Sequence, residues 1–82
     1  MPRDVRGHMA RFLDVPRGRL ADDVRLSDLV AESFLVVQLV VELQDALGVR
    51  VGAEELRGVQ TVGELVGVFE RAPEAAAPRR HP

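Results

Sequence analysis

The chain of 82 residues contains no cysteine, lysine, tyrosine or tryptophan, and only two histidines. Without cysteine it forms no disulfide, thiolate metal site or catalytic thiol, so any thiol chemistry has to come from a cofactor. Neither His8 nor His81 belongs to a cluster with metal-ligand spacing, and no glycine-rich phosphate loop follows a predicted strand. We therefore expect no catalytic residue, no metal site and a protein that is not an enzyme.

Long apolar runs are also missing. The longest, residues 34–43, is interrupted by Gln38 and Glu42 and is too short to span a bilayer. The polar residues 1–4 are not followed by the apolar core of a signal peptide. These features predict a cytoplasmic protein without a membrane partner.

Positive charge is sparse in the middle of the chain, where residues 22–74 carry 11 acids against four arginines. An acidic body disfavours binding to a phosphate backbone, so we expect no nucleic-acid partner, and a helix-turn-helix DNA-binding protein becomes an unfavoured alternative. The charge favours a partner with a basic surface, although a solvated acidic surface explains it equally well.

Residues 34–47 form the strongest predicted element. Their four valines favour a buried strand locally, but the run continues without a breaker to Gly48, a good helix C-cap, which favours a helix. Its predicted core stripe is Val36, Leu39, Val40, Leu43 and Leu47.

Three further helices are predicted. Residues 3–13 carry an apolar stripe and end before Pro16 and Gly18, residues 53–57 form a short turn, and residues 62–71 follow a capping box made by Thr61 and Glu64. The stripe of the first helix is Val5, Met9, Phe12 and Leu13.

The long connection over residues 14–32 has a possible helical turn at 27–29, and its apolar residues could pin it across the helices. These residues are Val15, Leu20, Val24, Leu26 and Leu29. We expect an all-α protein, a small four-helix bundle with a long first loop and a short third helix. The domain spans residues 1–71, and residues 72–82 form a flexible tail.

Ser33 stands where this long loop meets the second predicted helix. The first N–H groups of a helix lack partners and the helix dipole favours negative charge there, so a phosphate ester on this hydroxyl would be well placed. Serine is also a preferred N-cap, so position alone leaves both interpretations open.

Residues 28–34, Asp-Leu-Val-Ala-Glu-Ser-Phe, resemble the Asp-Leu-Gly-x-Asp-Ser-Leu signature of acyl carrier proteins. The resemblance runs over about residues 5–69 and stays in register from Ser33 onward. Residues 51–56 and 59–66 resemble the Ile-Pro-Asp-Glu-Glu and Thr-Val-Gly-Asp-Leu segments of that family. In this chain Val30, Glu32 and Phe34 replace the Gly, Asp and Leu of the signature.

The resemblance implies a bundle that carries a covalent 4'-phosphopantetheine arm on Ser33, with Glu32 as a supporting acid. A phosphopantetheinyl transferase would add the arm from CoA with Mg²⁺. The arm would carry acyl groups as thioesters to an acyltransferase, a ketosynthase or other pathway enzymes. The altered signature suggests a specialised carrier of polyketide or related secondary metabolism. We expect a monomer.

The outer side of the second helix is the expected docking face for partner enzymes. Its candidates are Phe34, Leu35, Gln38, Val41, Glu42 and Asp45. Leu35 lies off the core stripe and is expected to be exposed, whereas core packing remains an equal alternative for Phe34 and Val41. Two other functions stay open: an aminoacyl or peptidyl carrier with the same fold, and an unmodified carrier-like interaction module.

Overall fold

Helices make up the structure, a computed structural model that describes residues 3–74. They are α1 (Val5–Leu13), α2 (Leu26–Leu29), α3 (Ser33–Leu47), α4 (Ala53–Leu56) and α5 (Val62–Arg71), with a 3₁₀ turn at Arg17–Arg19. Within the described range, β-pairing is limited to two isolated bridges. The all-α bundle predicted from the sequence is confirmed, and α2 is the helical turn expected near residues 27–29. No helix in the same range is both long and apolar enough to cross a membrane.

The core forms where α1 packs on α3 and α5. Its fully or nearly fully buried side chains in these helices are Val5, Met9, Leu39, Val40, Leu43, Val62, Leu65, Val66 and Phe69. Most residues of the predicted apolar stripes are therefore buried, as expected. At their edges Phe12, Leu13, Val36 and Leu47 are only partly buried. Burial of each large apolar side chain contributes roughly 1.5–3 kcal/mol, which makes this cluster the main source of stability.

Residues 14–32 wrap across the helices, as expected from their apolar content. Leu20 and Leu26 are buried, and the other apolar residues proposed to pin the loop pack partly buried against the core. Val30 is buried as well, with an extended backbone at φ −129° and ψ 125°. The loop is therefore a packed part of the domain.

Residues 22–26, in the middle of this loop, are hydrogen-bonded to the start of α5. The Val62 N–H donates to the carbonyl of Val24 at 2.9 Å, and the Gly63 N–H donates to the carbonyl of Asp22 at 3.0 Å. In the opposite direction, the Leu26 N–H donates to the carbonyl of Gln60 at 2.8 Å. The first two bonds satisfy N–H groups of α5 that have no partner within that helix, and the three together fix the loop on both sides of residue 25.

The predicted capping box at α5 is present. The Thr61 hydroxyl accepts from the Glu64 N–H at 3.2 Å, and the Glu64 carboxylate accepts from the N–H groups of Gln60 at 2.7 Å and Thr61 at 3.1 Å. Hydrogen bonds from the backbone of Gln60 and then of Thr61 lower the pKa of Glu64 below its ordinary value.

Helix α1 ends at Leu13 as predicted, but Asp14 rather than the following Pro16 and Gly18 stops it. Asp14 adopts the left-handed conformation at φ 57° and its N–H donates to Ala10. Aspartate tolerates this conformation better than most residues because its short polar side chain bonds locally. At the other end, the Asp4 carboxylate accepts from Gly7 N–H at 3.1 Å and pairs with Arg17 at 2.7 Å, and Arg17 is the main cause of a lowered pKa for Asp4.

The packed domain extends three residues beyond the boundary expected at residue 71. Ala72 is buried, the Arg50 N–H donates to the carbonyl of Pro73 at 3.1 Å, and Glu74 forms a bridge with Val49. Arg3 donates to the carbonyl of Ala72 at 2.7 Å. These contacts depend on the loop after α3, so local composition could not reveal them. The remainder of the expected tail, residues 75–82, lies outside the described residues.

We expect Gly63→Ala to destabilise the fold by about 1–3 kcal/mol, because the added carbon overpacks a fixed contact. It would lie 2.8 Å from the Cβ and 3.0 Å from the carbonyl oxygen of Asp22. Gly67→Ala, also in α5, is the matched control, since its carbon meets only the flexible end of Arg71. It should be neutral or stabilising, as alanine favours helices. Urea unfolding checks both, and equal stability of the two variants would contradict the expected contact.

We expect the stability contributed by Glu64 to depend on pH. Its folded pKa is lowered, so the contribution is present above the unfolded value of 4.5 and is lost as pH falls through the folded pKa. Glu64→Gln keeps an oxygen that can accept the same bonds, so the variant should fold. The difference in urea midpoint between wild type and Glu64→Gln should be largest at neutral pH and shrink well below 4.5. Glu70→Gln controls for loss of an exposed carboxylate from the same helix, and a pH-independent gap for Glu64→Gln would refute the assignment.

Candidate functional site

Ser33 is the first residue of α3, and its side chain is exposed. The residue before it, Glu32, occupies the N-cap position with an extended backbone, φ −118° and ψ 136°, and its carbonyl accepts from the Leu35 N–H at 3.0 Å. The side chain of Glu32 makes no capping hydrogen bond. Ser33 is therefore not the N-cap, and the capping interpretation does not account for it.

The start of α3 suits an anion. Of its first N–H groups, that of Leu35 already donates to the Glu32 carbonyl, and the others lack the i−4 partner that residues further along a helix have. The dipole places partial positive charge at this end, and the first turn contains no acidic residue. A phosphodiester on the Ser33 oxygen would meet this positive end without a competing carboxylate in the turn. The residues present at this position therefore fit a phosphate-linked group.

The chain has three hydroxyl side chains, Ser27, Ser33 and Thr61. The Thr61 hydroxyl already accepts the capping bond of α5. Ser27 is exposed but lies within α2, a helix of four residues. Ser33 is thus the hydroxyl that combines exposure with the start of a long helix.

The residues that distinguish this chain from the signature occupy different environments. Glu32 and Phe34 are exposed on either side of Ser33. Val30 is buried in extended backbone, a conformation that any residue adopts without a glycine. Among residues 3–74, no group of three His, Asp or Glu could hold a metal ion.

The outward face of α3 carries apolar side chains. Phe34 is 55%, Val37 62% and Val41 49% exposed, and their spacing of three and four residues places them on one face of the helix. The polar candidates Gln38, Glu42 and Asp45 are exposed as well. Five of the six expected docking residues therefore lie on the surface.

Leu35 is the exception, since it is partly buried rather than exposed. It precedes buried Leu39 by one helical turn and so lies on the flank that turns toward the core. Val37 was missed, although among residues 3–74 it is the most exposed of the large apolar side chains. Its spacing from Phe34 and Val41 was the signal that could have identified it.

An apolar cleft of about 510 Å³ begins at Ser33 and runs between α3 and α4. Its other lining residues are Val36, Val37, Val40, Val41, Ala53 and Leu56. A second groove of about 390 Å³ lies between α1 and α3 and is lined by Phe12, Val37, Gln38, Val41 and Glu42. Val37 and Val41 separate the two depressions and contribute to both.

Comparison of the sequence with known proteins identifies the family of the chain. The family model described as "Phosphopantetheine attachment site" matches residues 3–69. The meromycolate extension acyl carrier protein of Mycolicibacterium aurum is 36% identical over 59 residues, which is 67% of this chain and 61% of that protein. An acyl carrier protein of Saccharopolyspora erythraea is 34% identical over 59 residues, 71% of this chain and 62% of that protein.

A more distant relative, an acyl carrier protein of Thermotoga maritima, is 29% identical over 68 residues, covering 82% of this chain and 84% of that protein. The chain spans about three fifths of the length of the Mycolicibacterium and Saccharopolyspora proteins. The family match covers most of the described residues and includes Ser33. The chain belongs to the acyl carrier protein family, whose members bear a covalent 4'-phosphopantetheine group and act as carriers, not catalysts.

Proposed function

We propose that Ser33 receives the phosphopantetheine arm and that the protein carries acyl groups on it in polyketide or related secondary-metabolite biosynthesis. The observation that carries the proposal is the exposed Ser33 hydroxyl at the first residue of α3, beside an apolar cleft. No other hydroxyl of the chain combines these features.

The chain's own residues supply a fixed attachment point and, beside it, an apolar cleft. Leu39, Val40 and Leu43 anchor α3 in the core, so its N-terminus is held in place while Ser33 faces solvent. The positive end of α3 would stabilise a phosphate bound to Ser33, and exposed Glu32 would be the neighbouring acid that supports the transfer. The bound arm supplies a thiol, which holds an acyl group as a thioester.

The partners are a phosphopantetheinyl transferase and pathway enzymes such as an acyltransferase or ketosynthase. A flexible tether raises the local concentration of the carried group at a docked enzyme to about the millimolar range. We place the protein in the cytoplasm as a monomer that docks through Phe34, Gln38, Val41, Glu42 and Asp45. Exposure of these five side chains supports the docking face.

The apolar surface around Ser33 supports a role in a specialised pathway. Phe34 next to Ser33 and Val37 one turn later make the surface around the attachment point apolar. A carrier with such a surface suits a restricted set of enzymes.

The proposed pathway is tested by the mass and identity of the group bound to the protein isolated from its native host. A polyketide intermediate supports the proposal, whereas an aminoacyl group would make the chain a peptidyl-type carrier.

We expect the protein to gain the mass of one phosphopantetheine group when incubated with CoA, Mg²⁺ and a broad-specificity transferase. Ser33→Ala should gain nothing, and Ser27→Ala, which removes the other exposed serine, should be modified like the wild type. Intact-mass spectrometry with peptide mapping measures both. Modification of Ser33→Ala would move the attachment elsewhere, and failure of the wild type with several transferases would favour an unmodified interaction module.

We also expect Ser33→Ala to leave the stability unchanged within about 0.5 kcal/mol, since the side chain is exposed and does not occupy the N-cap position. Thr61→Ala is the matched comparison, because Thr61 caps α5, and it should cost about 1 kcal/mol. Urea unfolding of the unmodified proteins checks this. A loss for Ser33→Ala as large as for Thr61→Ala would restore a structural role for Ser33.

A further inference from the structure

A third depression, of about 310 Å³, adjoins the apolar cleft between α3 and α4 and differs from it in chemistry. We call it the Arg25 pocket, and its lining residues are Arg25, Leu26, Ser27, Val36, Val59 and Gln60. Val36 lines both depressions and follows Ser33 by three residues, so the two residues lie on the same side of α3. A group tethered to Ser33 can therefore reach the Arg25 pocket.

We propose that the Arg25 pocket selects the cargo of the carrier by binding the free carboxylate of an acyl group that ends in one. Arg25 provides the charged contact, and Ser27 and Gln60 provide neutral hydrogen-bond donors. The inference rests on the proposed function, because the acyl group has to be held on Ser33. It names dicarboxylic acyl groups as the substrate class and assigns specificity to three residues outside the predicted site.

Charge in the pocket identifies the ligand as an anion. Among residues 3–74, Arg25 is the only charged residue that lines this pocket. It takes part in neither of the ion pairs found in the same range. A guanidinium presents parallel N–H groups that match the two oxygens of a carboxylate. The hydroxyl of Ser27 and the side-chain amide of Gln60 can donate to the remaining lone pairs.

Backbone contacts hold two of the polar residues next to each other before any ligand binds. Arg25 forms an isolated bridge with Thr61, and the Leu26 N–H donates to the carbonyl of Gln60 at 2.8 Å. The loop that carries Arg25 is therefore fixed against the residues that precede α5. A site whose backbone is already in place loses less conformational freedom on binding.

The rest of the lining argues against other kinds of cargo. Leu26, Val36 and Val59 offer apolar contacts to the methylene groups that precede a terminal carboxylate. A wholly apolar acyl group would leave the guanidinium uncompensated, and the apolar cleft between α3 and α4 suits it better. A neutral oxygen would not balance the charge of Arg25. A carboxylate on a short methylene chain meets both the charged and the apolar parts of the pocket.

Tethering makes a weak site sufficient. Arg25 is exposed, and exposed ion pairs are weak and screened by salt. A free acid would therefore need about millimolar concentration or more to fill the pocket. The arm presents its acyl group at about that concentration. We expect the pocket to hold a tethered carboxylate, to bind free acids poorly below the millimolar range, and to release the carboxylate as salt is added.

The test compares the full-length chain loaded on Ser33 by a broad-specificity transferase from glutaryl-CoA and from pentanoyl-CoA. The two acyl groups have equal carbon chains, but only glutaryl ends in a carboxylate. NMR should show the side-chain signals of Arg25 and Gln60 shifted in the glutaryl form and unshifted in the pentanoyl form. The pKa of a ¹³C-labelled glutaryl carboxyl should be lower on the wild type than on Arg25→Gln, because the guanidinium stabilises the carboxylate.

Arg57→Gln is the matched control, since Arg57 is exposed and lines neither the Arg25 pocket nor the apolar cleft. It should leave the glutaryl signals and the carboxyl pKa as in the wild type. Circular dichroism confirms that both variants fold. Added NaCl should raise the carboxyl pKa of the wild type toward that of Arg25→Gln.

Three results would overturn the inference while leaving Ser33 modified. They are equal shifts with pentanoyl and glutaryl, a carboxyl pKa unchanged by Arg25→Gln, and an effect of Arg57→Gln as large as that of Arg25→Gln. Saturation of the unmodified chain by free glutarate well below the millimolar range would make the pocket a site for a free acid and would overturn it too. If the wild type never gains an arm from CoA, the proposed function fails and the inference fails with it.

Discussion

Three backbone hydrogen bonds between the first loop and the start of α5 hold the site in place. They join Asp22 and Val24 to the first turn of the helix, and Leu26 to Gln60. Because they use backbone groups, the sequence only has to permit a close approach, and Gly63 permits it by lacking a side chain where Asp22 lies. Only six residues lie between Leu26, the last loop residue in these bonds, and Ser33 at the start of α3. The fixed position of Leu26 therefore restricts where Ser33 can lie.

Helix α3 has apolar side chains of similar type on its buried face and on its exposed face. Its inner face buries Leu39, Val40 and Leu43, which fixes the helix in the bundle. Its outer face exposes Val37 and Val41, which contribute to the clefts on either side. This explains why the run resembles a buried strand in composition: apolar side chains cover most of the helix circumference. The inner side supplies stability, and the outer side is the docking face that we propose.

Local signals in the sequence were sufficient where the structure is local. Gly48 adopts the left-handed conformation predicted for a C-cap, and Thr61 with Glu64 forms the predicted capping box. Prediction was weaker where tertiary contacts decide. Leu35 is partly buried because it lies one helical turn before buried Leu39, at the edge of the buried face, and residues 72–74 are held by a loop distant in sequence. The position of Ser33 could be predicted, whereas the two clefts beside it depend on how α1 and α4 pack on α3.

The departures from the family signature leave the fold unstrained. Val30 has an extended backbone that requires no glycine, while Glu32 and Phe34 point to solvent, where a longer acid and a larger apolar group meet no packing constraint. Since none of the three replacements conflicts with the bundle, folding alone does not account for the residues found at positions 32 and 34. Both residues flank Ser33, the attachment point that we propose. Under the proposed function, these two replacements would therefore affect which enzymes act on the carrier, together with the apolar surface that continues from Phe34 to Val41 along α3.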